Sequence, residues 1–526
     1  MGRVLEECEH VGADFSADPV HDLRVALRRC RSVADGMMAM DPDRNWKAMK
    51  KAGKRLFQRL GELRDVQIMM EWIENLHPAS ILAVASATPM EFSVDSGSAG
   101  EGVRATLRDP AAHTLLVVLQ GRELEQKNSA RTALEEFDRK QWREWSQSLP
   151  RRATRVRLGS AVFKHLALER WTTARALHTR AMRNRSQLGF HMLRIGIKRF
   201  RYIVENFLPH EHEAWSNNLK HMQDLLGEVH DLDVLWATAL ACHVFPDEDS
   251  RQSWHGRIGE ERAKRIEEYR QRTVGPDSLW NVWRAGLPLG KQIQEIATRR
   301  MKLWAKALDP DFAHSERVAR LALELYDGLN AAGMLGSPNR AALNGAGGDA
   351  RACLYVAALL HDVGKAKGNR GHHKASLELI KGHGTPLGWK PEDMARAAVV
   401  ARFHCGALPT RSHKALRDLL PGEQKITIQL AAVLRLANAL DAGHDGHIRR
   451  VRVENGGAQS QNRKRRTNGF LRKPAGLGSN EALVIGAEGY APGSPTAQAV
   501  AAERYLLEIV LRRPVVVKAM NSSSVA

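Results

Sequence analysis

Six side chains able to bind a metal ion stand in a fixed order in the second half of the chain: His314, the adjacent pair His361 and Asp362, His372, His404 and Asp441. Imidazole and carboxylate together suit Mn, Mg, Fe, Co, Ni or Zn. An adjacent His-Asp pair at a helix turn can reach one cation, and its carboxylate can bridge to a second. An ion held there lowers the pKa of a bound water to about 7 and makes it a nucleophile for attack on phosphorus. Lys365, Lys367 and Lys374 follow the pair closely and are placed to neutralise phosphate oxygens. Each of these histidines taken singly has an ordinary surface or core role open to it. The ordered set His, His-Asp, His, His, Asp is what points to a metal. The candidate ligands are therefore His314, His361, Asp362, His372, His404 and Asp441, with His361, Asp362 and Lys365 as candidate catalytic residues of a phosphohydrolase.

The first half carries a different chemistry, written twice. His21, Arg24, Arg28 and Arg31 recur at the same spacing as His191, Arg194, Lys198 and Arg201. At 100° per residue such positions fall within roughly an 80° arc, so each helix shows one cationic stripe opposite its apolar face. A second matched pair follows, Lys54 to Arg64-Asp65 and Lys220 to His230-Asp231, with Gly61-Glu62 answering Gly227-Glu228. Two features repeated in the same order indicate a duplicated helical unit, most simply a pseudo-twofold bundle. Like charges three and four apart cost an isolated helix a few tenths of a kcal/mol per pair. A solvated face salt-bridged to Glu62 and Glu228 would tolerate them, but such a face has no reason to keep the same spacing twice. A groove lined from both copies would present N–H donors to consecutive phosphates, each charge-assisted bond contributing about 1.5 to 3 kcal/mol. Aromatic residues that could stack bases are nearly missing from the stripes, which disfavours a specific nucleic-acid ligand. His21 and His191, with an ordinary pKa of about 6.5, would add affinity below that pH.

These residues carry two resemblances. Residues 1–285 resemble a CHAD domain, the conserved histidine α-helical domain, whose halves open on a His-Asp-Leu-Arg-type motif and close on a Leu-Gly-x-x-Arg-Asp-type motif. The resemblance implies binding of inorganic polyphosphate, or another phosphate-rich polyanion, by His21, Arg24, Arg28, Arg31, Lys54, Arg64, His191, Arg194, Lys198, Arg201, Lys220 and His230. The second copy departs from the pattern with Met192 and His230, which implies weaker binding in that half. Residues 300–448 resemble the HD superfamily of metal-dependent phosphohydrolases. In more detail, the segments HSERVARLALELYDGL, AALLHDVGKAKGNRGHHKASLELI, ARFHCGALP and LAAVLRLANALD look like the C-terminal region of the Ppx/GppA phosphatase family. There, the phosphatase chemistry belongs to an actin-like domain that nothing in this chain resembles, and Ala375 replaces a frequent His. The family name does not carry exopolyphosphatase activity over; the local His-Asp pair and Asp441 do the arguing.

The elements that must position these groups are mostly amphipathic helices, as in HDLRVALRRCRSVADGMM and HMLRIGIKRFRYIVENF. The expected fold is mainly α: a duplicated antiparallel helical bundle, then an all-helical HD-like domain with a small α/β C-terminal appendage. The appendage is expected from EALVIGAEGY, which reads as a strand, and AERYLLEIVLRRPVVVKAM, which begins as helix and ends as a β-branched run. Expected boundaries are 1–285 with an insertion at about 79–130, 300–448, and 449–526. The Ser/Gly/Ala-rich stretch 79–105 reads as linker, 331–350 as a loop, and 449–480, with Arg463 to Arg466, as a basic loop that is solvated or grips polyanion.

With 526 residues the chain exceeds one hydrophobic core. Its formal net charge of +20 predicts attraction to polyanions without choosing among them. Five scattered cysteines without a CxxC pair argue against a disulfide framework and fit a reducing cytosol. No run is long enough for a signal peptide or a membrane span, so a cytoplasmic protein, with polyphosphate granules as one setting, is expected. Three functions remain open at this point: a polyphosphate-binding phosphohydrolase, a non-catalytic polyphosphate-binding protein with a structural HD fold, and an HD hydrolase of nucleotides such as (p)ppGpp.

Overall fold

Apolar residues spaced three and four apart become helix throughout the computed structural model, which describes residues 1–13, 15–76, 109–335, 349–454 and 482–520. These fall into two units, Met1–Gly290 and Lys291–Ala526. The expected linker at 79–105, most of the loops at 331–350 and 449–480, and Arg463 to Arg466 lie outside the described residues. Among the described residues no helix is long and apolar enough to cross a membrane.

Among the described residues the first unit is built of helices: α1 (Arg3–Ala13), α2 (Ala17–Met37), α3 (Arg44–Leu76), α4 (Pro110–Glu135), α5 (Arg139–Ala153), α6 (Ala161–Asn184), α7 (Gln187–Phe207), α8 (Pro209–Ala241), α9 (Glu248–Thr273) and α10 (Leu279–Ala285). The two sequence copies are α2–α3 and α7–α8, and like packs on like, α2 against α7 and α3 against α8. Helix α2 buries Val20, Leu23, Leu27, Cys30 and Ala34, while α7 buries Phe190, Leu193, Ile197, Phe200 and Val204. Full burial of one such large side chain contributes about 1.5 to 3 kcal/mol, so these stripes fix which helix face is left for the cations. Ser186 starts α7 by accepting from the Gly189 N–H. Gly36 lets α2 meet the end of α7, because a Cβ there would run into the Phe207 ring. Residues 110–130, within the expected insertion, are helix. Asp109 caps α4 and Pro110 opens it, and Ala111, Ala112, Leu115 and Leu119 are buried in a core with Ile73, Leu232 and Trp254. Their apolar spacing is helical, and only the stretch before Asp109 is rich in Ser and Gly.

The second unit comprises α11 (Gln292–Leu308), α12 (Phe312–Ala331), α13 (Ala350–Leu360), a 3-10 turn (Val363–Lys367), α14 (His372–His383), α15 (Pro391–Arg402), α16 (Lys414–Arg417), α17 (Pro421–Leu440), β1 (Arg450–Glu454), β2 (Leu483–Glu488), α18 (Pro495–Glu503), α19 (Tyr505–Leu511) and β3 (Val515–Ala519). Helices α12, α13, α15 and α17 surround one core. The sheet has the order β1-β2-β3, with Arg450 opposite Glu488 in the antiparallel pair and Leu483 beside Val515 in the parallel pair. Val451, Ile485, Ala487 and Val515 are buried in that same core, so the C-terminal strands and the helices share one interior.

Candidate functional site

In the second unit, four helix ends meet. His314 lies in the first turn of α12, which Asp311 caps by accepting from the His314 N–H. His361 and Asp362 stand where α13 gives way to the 3-10 turn, His372 opens α14, and His404 lies just past α15. Three of the rings are oriented alike. His361 Nδ1 donates to Ala358 O at 2.7 Å, His372 Nδ1 to Asn369 O at 2.8 Å and His404 Nδ1 to Ala401 O at 2.7 Å. In its neutral form, with the proton held on Nδ1, each ring presents an Nε2 lone pair, which is how metal-bound histidines are usually prepared. Burial lowers the His361 pKa, but Asp362 outweighs burial and raises it, so an ion there would displace a proton.

Those lone pairs converge on Asp362. Its Oδ1 lies 3.3 Å from His372 Nε2 and 3.5 Å from His404 Nε2; its Oδ2 lies 3.3 Å from His361 Nε2, 3.9 Å from His314 Nε2 and 2.6 Å from Lys365 Nζ. His314, His361, Asp362 and His404 are buried. His361 Nε2 and Asp362 Oδ1 make no hydrogen bond despite burial, which costs on the order of 1 to 3 kcal/mol per group unless an ion satisfies them. Burial pushes the Asp362 carboxyl up, but His361, His404 and Lys365 hold it well below the usual carboxylate range. Burial, helped by neighbouring His361, drives His404 far below the ordinary imidazole range and keeps it neutral. The residues therefore fit divalent cations: two groups of donors, His314-His361-Asp362 and His372-His404-Cys405, have ligand atoms close enough to share an ion.

Supporting residues fix this arrangement. Ser376 Oγ donates to His361 O at 2.6 Å and accepts from the Gly364 N–H at 2.9 Å, tying the His-Asp turn to α14. Gly364 has to be glycine, since a Cβ would collide with His372 O and Ser376 N. Asp441 sits behind His314. It accepts from His314 Nδ1 at 2.7 Å, from Arg317 Nε at 2.9 Å and from the Gly446 N–H at 3.2 Å. Burial pushes the Asp441 carboxyl up, but the His314 and Arg317 hydrogen bonds outweigh it and lower its pKa. Both of its oxygens are engaged, so this geometry makes Asp441 an orienter of the His314 ring. His444 stacks on that ring at 3.8 Å. Lys367 and Lys374 are exposed.

In the first unit the two stripes face one cavity of about 940 Å³, lined by His21, Arg24, Arg28, Arg31 and Arg64 from one copy and His191, Arg194 and Lys198 from the other. Lys50, Arg170 and Arg199 join the lining without having been expected, as do the carboxylates of Asp35, Asp65, Asp224, Glu228 and Asp231. Lys54 and Lys220 are exposed outside it, Arg201 leans toward Glu205 at 3.9 Å, and His230 stands behind His191 with the two Nδ1 atoms 3.3 Å apart. The aromatics missed in the sequence are Phe57 and Tyr202, and both rings are covered by arginine: Arg24 and Arg31 over Phe57, Arg28 over Tyr202 at 5.1 Å. Nε of Arg28 and of Arg194 is buried without a hydrogen bond.

Crowding shows in the acidities. Burial, then Arg194, Arg28 and Arg24, pull the Lys198 ammonium down to about 7. Burial and Arg194 bring His230 to about 4. Burial also lowers His21 and His191, with Arg64 and Arg194 respectively as the next cause, so their charging moves below the ordinary histidine range that the sequence suggested. Burial raises Asp231 to about 6 against the pull of Arg194.

Residues 2–240 match the family model of the CHAD domain, and residues 311–443 match that of the HD domain. The chain joins a CHAD domain to an HD domain. No curated protein matches the sequence. The CHAD match spans α1 to α8 and so includes both copies of the cation stripe; the HD match runs from Asp311 to Gly443 and holds His314, His361, Asp362, His372, His404 and Asp441. Sequence reasoning missed Cys405, whose Sγ lies 3.7 Å from His372 Nε2. Its one visible signal was adjacency to His404. It also missed Arg435, which donates to Phe403 O at 3.3 Å and to Gly406 O, bracketing His404 and Cys405, and pairs with Glu503 of α18. Nothing local in the sequence announces that clamp, because its partners are far apart along the chain.

Proposed function

We propose that this chain binds inorganic polyphosphate in the CHAD cavity and hydrolyses a phosphoanhydride or phosphoester bond at a divalent-metal centre in the HD domain. The observation that carries the reading is Asp362, whose two oxygens face two separate groups of imidazole nitrogens with their lone pairs turned inward. Ions held by His314, His361, Asp362, His372 and His404 would supply a water ionised near neutral pH. The chain's own part is to fix that water's partners. Asp362 spans both groups, Asp441 holds the His314 ring through Nδ1, and Lys365, 2.6 Å from Asp362, is placed to meet a phosphate oxygen. The His314 Nε2 that now meets Asn438 Oδ1 at 3.0 Å would exchange that contact for the ion.

The CHAD cavity supports the substrate class. Its donors are guanidinium and ammonium groups from both copies, and Phe57 and Tyr202 are already capped by arginines, which leaves no open ring for a base. Because both domains are on one chain, a polymer bound by one is tethered to the other. Phosphate release from long-chain polyphosphate, with Mn²⁺ or Mg²⁺ and beside Asp362→Ala, tests this. Release lost in the variant is expected. Tight polyphosphate binding with no release by the wild type would instead favour a binding protein and move the substrate search to nucleotides such as (p)ppGpp.

A further inference from the structure

We infer that Cys405 is the fourth ligand of a closed site formed with His372, His404 and Asp362 Oδ1, and that this site prefers a thiophilic ion such as Zn²⁺. The inference rests on the metal-centre reading above and deepens it. His372 Nε2 and His404 Nε2 stand 3.1 Å apart, and each ring keeps its proton on Nδ1 against a backbone carbonyl. Two facing lone pairs repel unless a proton or a cation lies between them.

The spacings discriminate. Metal–nitrogen and metal–oxygen bonds of about 2.0 to 2.1 Å and a metal–sulfur bond of about 2.3 Å, arranged tetrahedrally, require ligand separations of about 3.3 Å between nitrogens, about 3.4 Å from nitrogen to oxygen and about 3.6 Å from nitrogen to sulfur. The observed values are 3.1 Å between the nitrogens, 3.3 and 3.5 Å from them to Asp362 Oδ1, and 3.7 Å from His372 Nε2 to Cys405 Sγ. Independently, Asp362 is 2 % exposed, and its Oδ1 has no hydrogen bond although it faces this group. Arg435 donates to the backbone carbonyls on both sides of His404 and Cys405. His373 Nδ1, 3.6 Å from Sγ, adds a polar contact to the sulfur from outside the tetrahedron.

Two consequences follow. Thiolate is a soft ligand, so the site favours Zn²⁺ or Co²⁺ over Mn²⁺ or Mg²⁺, and as the sulfur–metal bond forms the thiol proton leaves to solvent. With Asp362 Oδ1 shared, four protein ligands would complete a tetrahedron around His372, His404 and Cys405, whereas the His314-His361-Asp362 group supplies three. A reacting water would therefore belong with the three-donor group, and an ion at Cys405 would anchor Asp362.

The test uses the full chain, stripped with chelator and reloaded with Co²⁺ alone. Wild type should show a thiolate-to-Co²⁺ charge-transfer band in the near ultraviolet that Cys405→Ser and Cys405→Ala both lack. Zn²⁺ should shield Cys405 from alkylation in the wild-type chain, which requires no variant to fold. The preference for Zn²⁺ over Mn²⁺ should shrink at least about tenfold in either variant. Co²⁺ bound with the same spectrum in all three proteins, and alkylation unaffected by Zn²⁺, would overturn the Cys405 ligand while leaving the metal centre standing. No Co²⁺ bound by wild type would overturn both.

Discussion

The half-buried CHAD cavity and the buried HD centre are both polar clusters, with opposite surpluses of hydrogen-bonding groups. In the cavity donors outnumber acceptors: Arg28 and Arg194 each bury an Nε without a partner, and Lys198 is pulled down to about 7 by burial among arginines. In the HD centre acceptors converge: three imidazoles give their Nδ1 protons to carbonyls and turn lone pairs toward one carboxylate. Charge of one sign is costly to bury. Unpartnered N–H donors in the first place and unpartnered ligand atoms in the second are what an anion and a cation, respectively, would satisfy.

That contrast can be broken at Asp362. Asp362→Asn keeps the shape and removes the charge that collects the imidazoles; phosphate release should fall by at least about a hundredfold. Polyphosphate affinity, measured by calorimetry, should stay as it is. The mirror experiment is Arg24→Ala with Arg194→Ala, one cation from each copy. Losing two charge-assisted bonds should weaken polyphosphate binding by about a hundredfold, with bound metal unchanged by elemental analysis and the helical circular dichroism retained.

A third change sharpens the metal side alone. Arg435→Ala loosens the segment carrying His404 and Cys405 and should lower metal affinity by about tenfold, read by competition with a chromophoric chelator. The smallest effect is pH dependence on the cavity side. Lys198 is neutral in the free protein above about 7, and a bound polyanion restores its proton. Affinity should therefore fall as pH rises, by up to about tenfold between pH 6 and 8, with net proton uptake on binding. Lys198→Gln should flatten the profile; a profile unchanged by that substitution would remove Lys198 from the site.

Much of this was legible in the sequence, for physical reasons. Helix geometry fixes which residues share a face, so the repeated spacing from His21 to Arg31 and from His191 to Arg201 announced one cationic surface per copy. The donor types of His314, His361, Asp362, His372 and His404 announced a candidate metal site, although these residues lie far apart along the chain. Burial was the hidden quantity. It decides that Lys54 and Lys220 are exposed while Lys198 is crowded, and it moves the histidines out of the pH range that their reference values suggested. Long-range reach was hidden as well: Asp441 turns out to hold the far side of the His314 ring, and Glu503 steadies Arg435 across 68 positions of sequence. Cys405 went unnoticed because cysteines were weighed as disulfide or CxxC candidates, not as neighbours of His404.

The most direct test measures metal content and polyphosphate binding together on three proteins: wild type, Asp362→Asn, and the Arg24→Ala/Arg194→Ala double variant. The account predicts a crossed result, in which the aspartate variant loses metal and keeps polyphosphate while the arginine variant loses polyphosphate and keeps metal. Undiminished polyphosphate binding by the arginine variant, or full metal content in the aspartate variant, would contradict it.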